Sequence, residues 1–239
     1  MKVIVCFKVI PDYDKVLQSD WKRYSFSYAK KSFGVFCEGA LESALKIKDG
    51  IKDTYLEAVT YGESNNVLTQ NLYAAGFSKV TLLKGRQDDF SSKSTALVLS
   101  RYIKKGNFDL VVCGEMVGPN DTGSVPYHLA SYLNMKVIPD VTEFRVDDDV
   151  VIVSDDDSRT SEYILKEPVL AVVSDAKNAY LRFSSLKRRR EAEKMKQNTV
   201  FVLPDLRSHK LKEKTVKKKE VKHIDAEELV NILRRYQND

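Results

Sequence analysis

Apolar runs alternate with segments of helical periodicity through most of the first 176 residues, and this alternation constrains the fold more than any other feature. Largely apolar runs, typical of strands buried on both faces, occupy residues 3–9, 55–61, 79–83, 108–113 and 169–173. Between the earlier runs, apolar residues recur every three or four positions, and Gly50, Gly76 and Gly106 stand where helices end. The alternation predicts an α/β fold with a mainly parallel, Rossmann-like sheet and helices on both faces.

The pattern changes beyond the fourth predicted helix. Residues 137–146 and 150–153 flank three consecutive aspartates and predict a hairpin, with residues 160–165 as a further strand. After residue 176 the periodicity fades into a basic segment, and residues 226–236 carry the apolar stripe of an amphipathic helix.

Charge is distributed unevenly along the chain. Residues 177–239 hold 18 Lys and Arg against 9 Asp and Glu, whereas the whole chain has a net charge of only +5. We therefore predict an α/β domain over residues 1–176 and an extended C-terminal arm over residues 177–239 that serves for interactions.

Cysteine and histidine usage argues against a metal centre. Cys6, Cys37 and Cys113 are scattered, no CxxC pair occurs, and the three histidines lie far apart. The pattern favours a reduced, cytoplasmic setting, and no apolar run approaches the roughly 20 residues of a membrane span. No group of residues is typical of a general base, a nucleophile or a ligand set, so we predict no catalytic residues and no bound metal.

The segment DLVVCGEMVGPNDTGSVPYHLASYL, residues 109–133, places small and polar residues between a predicted strand and a predicted helix. Open α/β sheets bind ligands outside the carboxyl ends of their strands, and the unpaired N–H groups of a helix N-terminus bind phosphate. We expect Thr122, Gly123 and Ser124 to form the first helical turn and to donate to an anion, with Asp121 as a cap or loop brace. An ordinary helix cap without a ligand is the alternative.

Two familiar nucleotide motifs are absent from the sequence. No GxxxxGK[ST] occurs, and no GxGxxG follows the first predicted strand. A P-loop NTPase and a simple NAD-binding Rossmann domain are therefore disfavoured.

Five ordered segments resemble the beta subunit of electron transfer flavoprotein, a family that includes the FixA-like proteins. They are VIVCFKVIPDY, FGVFCEGALESALKIKD, VTYGESNNVLTQNLYAAGFSKV, DLVVCGEMVGPNDTGSV and LKEPVLAVVSDAKNAYLRFSSLKRRREAEKMK. Each segment alone is weak, but their order and spacing together are specific. The resemblance implies an adenine nucleotide alpha-hydrolase-like sheet.

The resemblance also implies an adenine-nucleotide site at the strand ends, which holds AMP or, in electron-bifurcating members, a second FAD. The residues that match it by position are Cys6, Gly34, Val35, Phe36, Cys37, Tyr61, Val117, Gly118, Asn120, Asp121, Thr122, Gly123 and Ser124. A buried strand cysteine and a core phenylalanine are the alternatives for Cys6 and Phe36. Because Gly34-Val35 replaces the family's Asn-Pro and Ser124 replaces its Gln, both AMP and FAD stay open.

Partners follow from the same resemblance. The family's alpha subunit holds the electron-transferring FAD, and the C-terminal arm of the beta subunit embraces it. Leu186 matches the apolar anchor that docks an acyl-CoA dehydrogenase-like protein or another flavoprotein dehydrogenase. A lone exposed leucine is the alternative.

We accordingly predict the beta subunit of a heterodimeric electron transfer flavoprotein, which passes electrons between a flavin or NADH donor and a dehydrogenase. Simple transfer and electron bifurcation both stay open. The alternative is a stand-alone adenine-nucleotide-binding sensor of similar fold. Nucleic-acid binding by the C-terminal lysines is disfavoured, because few aromatic residues are interleaved with them.

Overall fold

A computed structural model of the chain describes residues 1–16, 26, 28–85, 91–118, 121–156, 158–174 and 180–203. Its strands are β1 Lys2–Cys6, β2 Val9–Pro11, β3 Lys31–Phe33, β4 Tyr55–Tyr61, β5 Lys79–Lys84, β6 Leu110–Gly114, β7 Lys136–Val146, β8 Val150–Asp155, β9 Thr160–Ile164, β10 Val169–Val173 and β11 Asn198–Phe201. Within these ranges nine strands form the main sheet, in the order β11-β5-β4-β1-β6-β10-β7-β8-β9. β2 and β3 form a separate antiparallel pair.

β1 lies at the centre of the parallel part of the sheet. Cys6 at its end is in register with Val59 of β4 on one side and with Cys113 of β6 on the other. Along the chain, β4 and β5 are added on one side of β1, and β6 then returns to the other side. The strand order therefore reverses at β1, and open α/β sheets bind ligands at such a reversal.

Helices cover both faces of the sheet. They are α1 Cys37–Gly50, α2 Asn66–Ala75, α3 Ser92–Ile103, α4 Val125–Leu133 and α5 Leu186–Ala192. Apolar side chains of α1 and α2 pack in one core cluster, and those of α3 and α4 pack in a second cluster on the opposite face. The predicted α/β fold, with a mainly parallel sheet between helices, is confirmed. None of the helices in the described ranges is long and apolar enough to cross a membrane.

Capping residues in the sequence set several helix ends. Asn65 Oδ1 accepts a hydrogen bond from Leu68 N at the start of α2, and Ser91 Oγ accepts one from Ser94 N at the start of α3. Gly76 ends α2 with a φ of 127°, a conformation that favours glycine. The predicted stop at Gly76 is confirmed.

The antiparallel part of the sheet extends from β7 through β8 to β9. Phe144 is paired with Ile152, and Ile152 with Tyr163, so alternate side chains of this hairpin share one face. The predicted hairpin around the three aspartates and the further strand beside it are confirmed.

Two predicted boundaries were wrong. The first strand ends at Cys6 rather than at residue 9, because Val9–Pro11 pairs with β3 instead of continuing the main sheet. α4 begins at Val125, so residues 122–124 precede the helix and do not form its first turn. Gly123 has a φ of +64°, which is not helical, and Pro126 stands at the start of α4 where proline is favoured.

Two elements lie where the fading periodicity predicted none. α5 follows a cap in which Ser185 Oγ accepts a hydrogen bond from Arg188 N. β11 extends the sheet beyond β5, with Val200 in parallel register with Leu83.

The chain divides into two compact units, residues 1–209 and 210–239. The second unit, which includes the predicted helix 226–236, lies outside the described residues. The predicted boundary between residues 176 and 177 stays a prediction.

Candidate functional site

The segment that opens α1 and the loop that follows β6 meet beside the carboxyl end of β1. Gly34 N donates a hydrogen bond to the carbonyl oxygen of Lys8, just past β1, at 2.9 Å. Val35 N donates to the carbonyl oxygen of Val117 at 3.1 Å. Two backbone segments thus lie beside the strand-order reversal. The first is hydrogen-bonded to the chain just past β1, and the second is hydrogen-bonded to the first.

Two glycines make this close approach possible. A Cβ atom on Gly34 would lie 2.8 Å from Cβ of Val117, and one on Gly114 would lie 2.8 Å from the carbonyl carbon of Phe36. Phe36 N also donates to the carbonyl oxygen of Met116, at 3.3 Å. Any larger residue at either position would push the two segments apart.

Asp121 braces the loop that leads into α4. Its Oδ2 accepts from Val117 N at 2.9 Å and its Oδ1 accepts from Gly123 N at 3.1 Å. Asp121 N in turn donates to the carbonyl oxygen of Gly118. The carboxylate is therefore engaged by the loop itself, and the N–H of Gly123 is already used.

Three hydroxyl groups converge at the N-termini of α3 and α4. Thr122 Oγ1 lies 2.7 Å from Ser124 Oγ and 3.4 Å from Oγ of Ser92, the first residue of α3. Across the described ranges, the backbone N–H groups of Thr122 and Ser124 have no hydrogen-bond partner. Helix N-termini carry partial positive charge, so this cluster of hydroxyls and free amides suits phosphate oxygens.

The three cysteines of the chain are free and buried around the end of β1. Burial raises the pKa of the Cys37 thiol to about 12. The hydrogen bond with Cys6, followed by burial, raises the pKa of Cys113. Since the thiolate is the reactive form, Cys37 and Cys113 are inert at neutral pH.

The part of the chain that the structure describes contains no set of metal ligands. There, no group of three or more His, Cys, Asp or Glu residues could hold a metal ion.

The structure brings most of the predicted binding residues to one place. Cys6, residues 34–37, residues 117–118 and residues 121–124 lie at or next to the end of β1. Tyr61 ends the neighbouring strand β4 and is buried with Cys6 in one core cluster. Val35 is exposed and Phe36 half-buried, and Asn120 lies outside the described residues.

Ser92 is a site residue that the sequence reasoning missed. It stands 30 positions before Thr122, in the hydroxyl-rich stretch SSKS that opens α3. A run of serines before an apolar helical segment is the signal that could have identified it, although such runs are common as plain caps.

The segment around Leu186 is fixed to α1 and presents apolar groups to solvent. Arg182 forms a two-pronged ion pair with Glu42, with Nη2–Oε1 at 2.7 Å and Nε–Oε1 at 2.9 Å. Leu186 at the start of α5 is 74% exposed and Phe183 is 94% exposed. Residues 187–190, which follow in α5, are all basic and exposed.

Comparison with known families defines the class of protein. The family model described as the electron transfer flavoprotein domain matches residues 29–229. The match spans most of the chain, which therefore belongs to the electron transfer flavoprotein family, whose function is flavin-linked electron transfer.

Individual relatives narrow this class to the beta-subunit branch and confirm the resemblance noted in the sequence. Electron transfer flavoprotein subunit beta of Megasphaera elsdenii is 28% identical over 187 residues, which cover 74% of this chain and 68% of the relative. The probable electron transfer flavoprotein subunit beta of Schizosaccharomyces pombe is 24% identical over 69% of this chain and 66% of its own length. The caffeyl-CoA reductase-Etf complex subunit CarD of Acetobacterium woodii is 28% identical over 64% and 60%. The chain thus spans about two thirds or less of the length of these curated relatives.

Proposed function

We propose that this chain is the beta subunit of a heterodimeric electron transfer flavoprotein and holds an adenosine nucleotide, AMP or FAD, beside the carboxyl end of β1. The observation that carries the proposal is the convergence of the Ser92, Thr122 and Ser124 hydroxyls with the free amides of Thr122 and Ser124. These donors lie at the strand-order reversal, where α/β sheets bind nucleotides.

The residues present fit such a ligand. Ser92, Thr122 and Ser124 would hold the phosphate, which gains hydrogen bonds and the favourable end of two helix dipoles. Asp121 carries a negative charge close to this position, but both of its oxygens accept N–H groups of its own loop. Its role is to shape the loop rather than to contact phosphate.

The adenine would lie against the segment formed by Gly34, Val35 and Phe36. Val35 is 63% exposed although its backbone N–H is hydrogen-bonded to the opposite loop. A purine ring on this surface would remove that side chain from water.

The flavin, when bound, supplies the redox chemistry. The residues of this chain would bind the cofactor, position it and shield it from water. In the proposed beta site, AMP would have a structural role only, whereas FAD would add a second redox centre. The buried Cys37 and Cys113 thiols stay protonated at neutral pH and take no part.

Partner contacts form the second half of the proposal. We place the docking of a flavoprotein dehydrogenase at Leu186, an exposed apolar residue beside a basic helix, an arrangement that combines an anchor with charge steering. The beta-subunit relatives support pairing with an alpha subunit. The reduced thiols agree with a cytoplasmic setting.

Co-expression with a candidate alpha subunit tests the proposal. The purified complex is denatured, and the released cofactors are separated and quantified. One flavin with one AMP per heterodimer supports a simple carrier, and two flavins support bifurcation. A chain that purifies alone without any adenosine nucleotide would contradict the proposal.

A further inference from the structure

A cavity of about 350 Å³ lies at the opposite end of the sheet from the candidate nucleotide site. Lys2, Tyr55 and Lys79, which line it, are the first residues of the parallel strands β1, β4 and β5. The remaining lining comes from Glu57, from Tyr102 of α3, and from the turn that contains Lys105, Gly106 and Phe108. The family resemblance assigned no residue to this end.

A buried carboxylate forms the floor of this cavity, and its hydrogen-bonding capacity is occupied. Glu57 is 2% exposed. Its Oε1 accepts from Tyr102 OH at 2.5 Å and from Thr81 Oγ1 at 2.8 Å, and it lies 3.4 Å from Lys79 Nζ. Its Oε2 accepts from Tyr55 OH at 3.3 Å. Since buried charges are stable only when paired and hydrogen-bonded, this network is a fixed part of the wall.

The other two lysines of the lining form no ion pair with any residue that the structure describes. Among the described residues, Lys2 Nζ donates to the carbonyl oxygen of Gly106 alone, at 3.4 Å. The nearby carboxylate of Asp109 accepts from the backbone N of Lys2 instead. Within the ranges that the structure describes, neither Lys2 nor Lys105 has a carboxylate within 4 Å of its ammonium group. With Lys79 balanced by Glu57, the lining carries a surplus of two positive charges.

The turn after α3 holds its side of the cavity in a defined shape. Gly106 lies so close to Phe108 that a Cβ atom would come within 2.2 Å of the Phe108 ring. Asn107, between them, has a φ of 50°, in the left-handed region that asparagine tolerates better than most residues. Tyr102 adds a second ring, with Lys79 Nζ 5.5 Å from its centroid. The cavity therefore joins a cationic side to an aromatic one.

We propose that this cavity binds a small organic anion, whose phosphate or carboxylate group lies between the ammonium groups of Lys2 and Lys105 and whose apolar part lies against Tyr102 and Phe108. A volume of about 350 Å³ is at the lower end for ligand pockets, so the ligand is smaller than the nucleotide proposed for the other end of the sheet. The proposal does not depend on that nucleotide site.

Titration of the full chain by ¹H–¹⁵N NMR, at constant ionic strength, tests the proposal. Phenyl phosphate and 4-hydroxybenzoate serve as separate probes of the two anion classes, because each joins its anionic group to an aromatic ring. We expect one or both to give saturable shifts of the Gly106 and Tyr102 amides. Lys105→Ala should weaken that binding about fivefold, as expected for loss of about 1 kcal/mol.

Lys104→Ala is the matched control, because Lys104 is the exposed neighbour of Lys105 and does not line the cavity. It should leave the binding unchanged. Saturation by one probe alone would fix the anion class. Failure of both probes to saturate, or equal weakening by the two alanine variants, would overturn the proposal.

Discussion

Removal of the Arg182 side chain should loosen the segment that carries Leu186. Glu42 has only 8% of its side chain exposed and is held by the Arg182 guanidinium and by Arg182 N, at 2.9 Å. Breaking a fully buried ion pair costs about 3–5 kcal/mol because one charge is left unpaired. Arg182 is itself 29% exposed, so water can partly replace it, and we expect Arg182→Ala to cost about 2 kcal/mol.

Hydrogen exchange can locate this loss as well as measure it. About 2 kcal/mol corresponds to roughly a thirtyfold rise in local opening. We expect the amide of Leu181, which donates to Glu38, and the amides of α5 to exchange faster by about that factor. Amides of β9 at the far edge of the sheet open without breaking the Arg182–Glu42 contact and should keep the exchange rates of the wild-type protein.

Arg145→Ala is the matched control. Arg145 also pairs with a glutamate, Glu162, but both side chains are about half exposed, and surface pairs of this kind contribute little. We expect Arg145→Ala to leave the denaturation midpoint of the protein unchanged. Equal effects of the two alanine variants, or unchanged exchange in Arg182→Ala, would refute the view that burial of Glu42 makes the contact important.

Three further predictions concern other sites. Burial raises the pKa of Cys37 from 9.0 to about 12, so its protonated thiol stabilises the fold below about pH 9 and that contribution is lost between about pH 9 and 12. Cys37→Ala should therefore flatten the fall in the urea midpoint across this pH range, and identical pH profiles of the urea midpoint in the two proteins would contradict this expectation. Leu186→Ala should slow electron delivery to the dehydrogenase at unchanged cofactor content. Leu203→Ala, at a leucine that is 83% exposed against 74% for Leu186, should not; equal rates in both variants would exclude Leu186 from the interface. Tyr102→Phe removes a hydrogen-bond donor from buried Glu57 and should lower the free energy of unfolding by about 1–2 kcal/mol, whereas Tyr163→Phe, at a half-exposed position, should not. Equal free energies of unfolding in the two variants would show that the hydrogen bond from Tyr102 to Glu57 does not stabilise the fold.

The sequence predicted the parallel sheet because its strands are apolar enough to be buried on both faces. Val3, Ile4 and Val5 are fully buried between two helical layers, and only such a place suits an uninterrupted apolar run. β11 was not predicted because an edge strand needs few apolar residues. Its side chains alternate between half-buried and exposed. α5 was not predicted because Ala192 is its only buried residue, so its sequence shows no apolar stripe.

The candidate site was predictable where its residues are neighbours in sequence. Asp121, Thr122 and Ser124 lie within four positions, and turn and cap chemistry there is local. Ser92 comes to Thr122 through the fold of the sheet, and the partners of Glu57 come from three different elements. Contacts of that kind depend on topology, which the pattern of one segment does not encode.

Nucleotide content of the Gly123→Leu variant tests the central claim most directly. Gly123 has a φ of +64° and its Cβ position lies 3.4 Å from the carbonyl oxygen of Glu115, so leucine there must distort the loop that presents Thr122 and Ser124. The wild-type and variant chains would each be purified with the alpha subunit, checked by circular dichroism, denatured and assayed for released AMP and FAD. We predict that the variant keeps its fold and the flavin of the alpha subunit but loses the nucleotide of this chain. Full retention of that nucleotide would contradict the placement of its phosphate at Thr122 and Ser124.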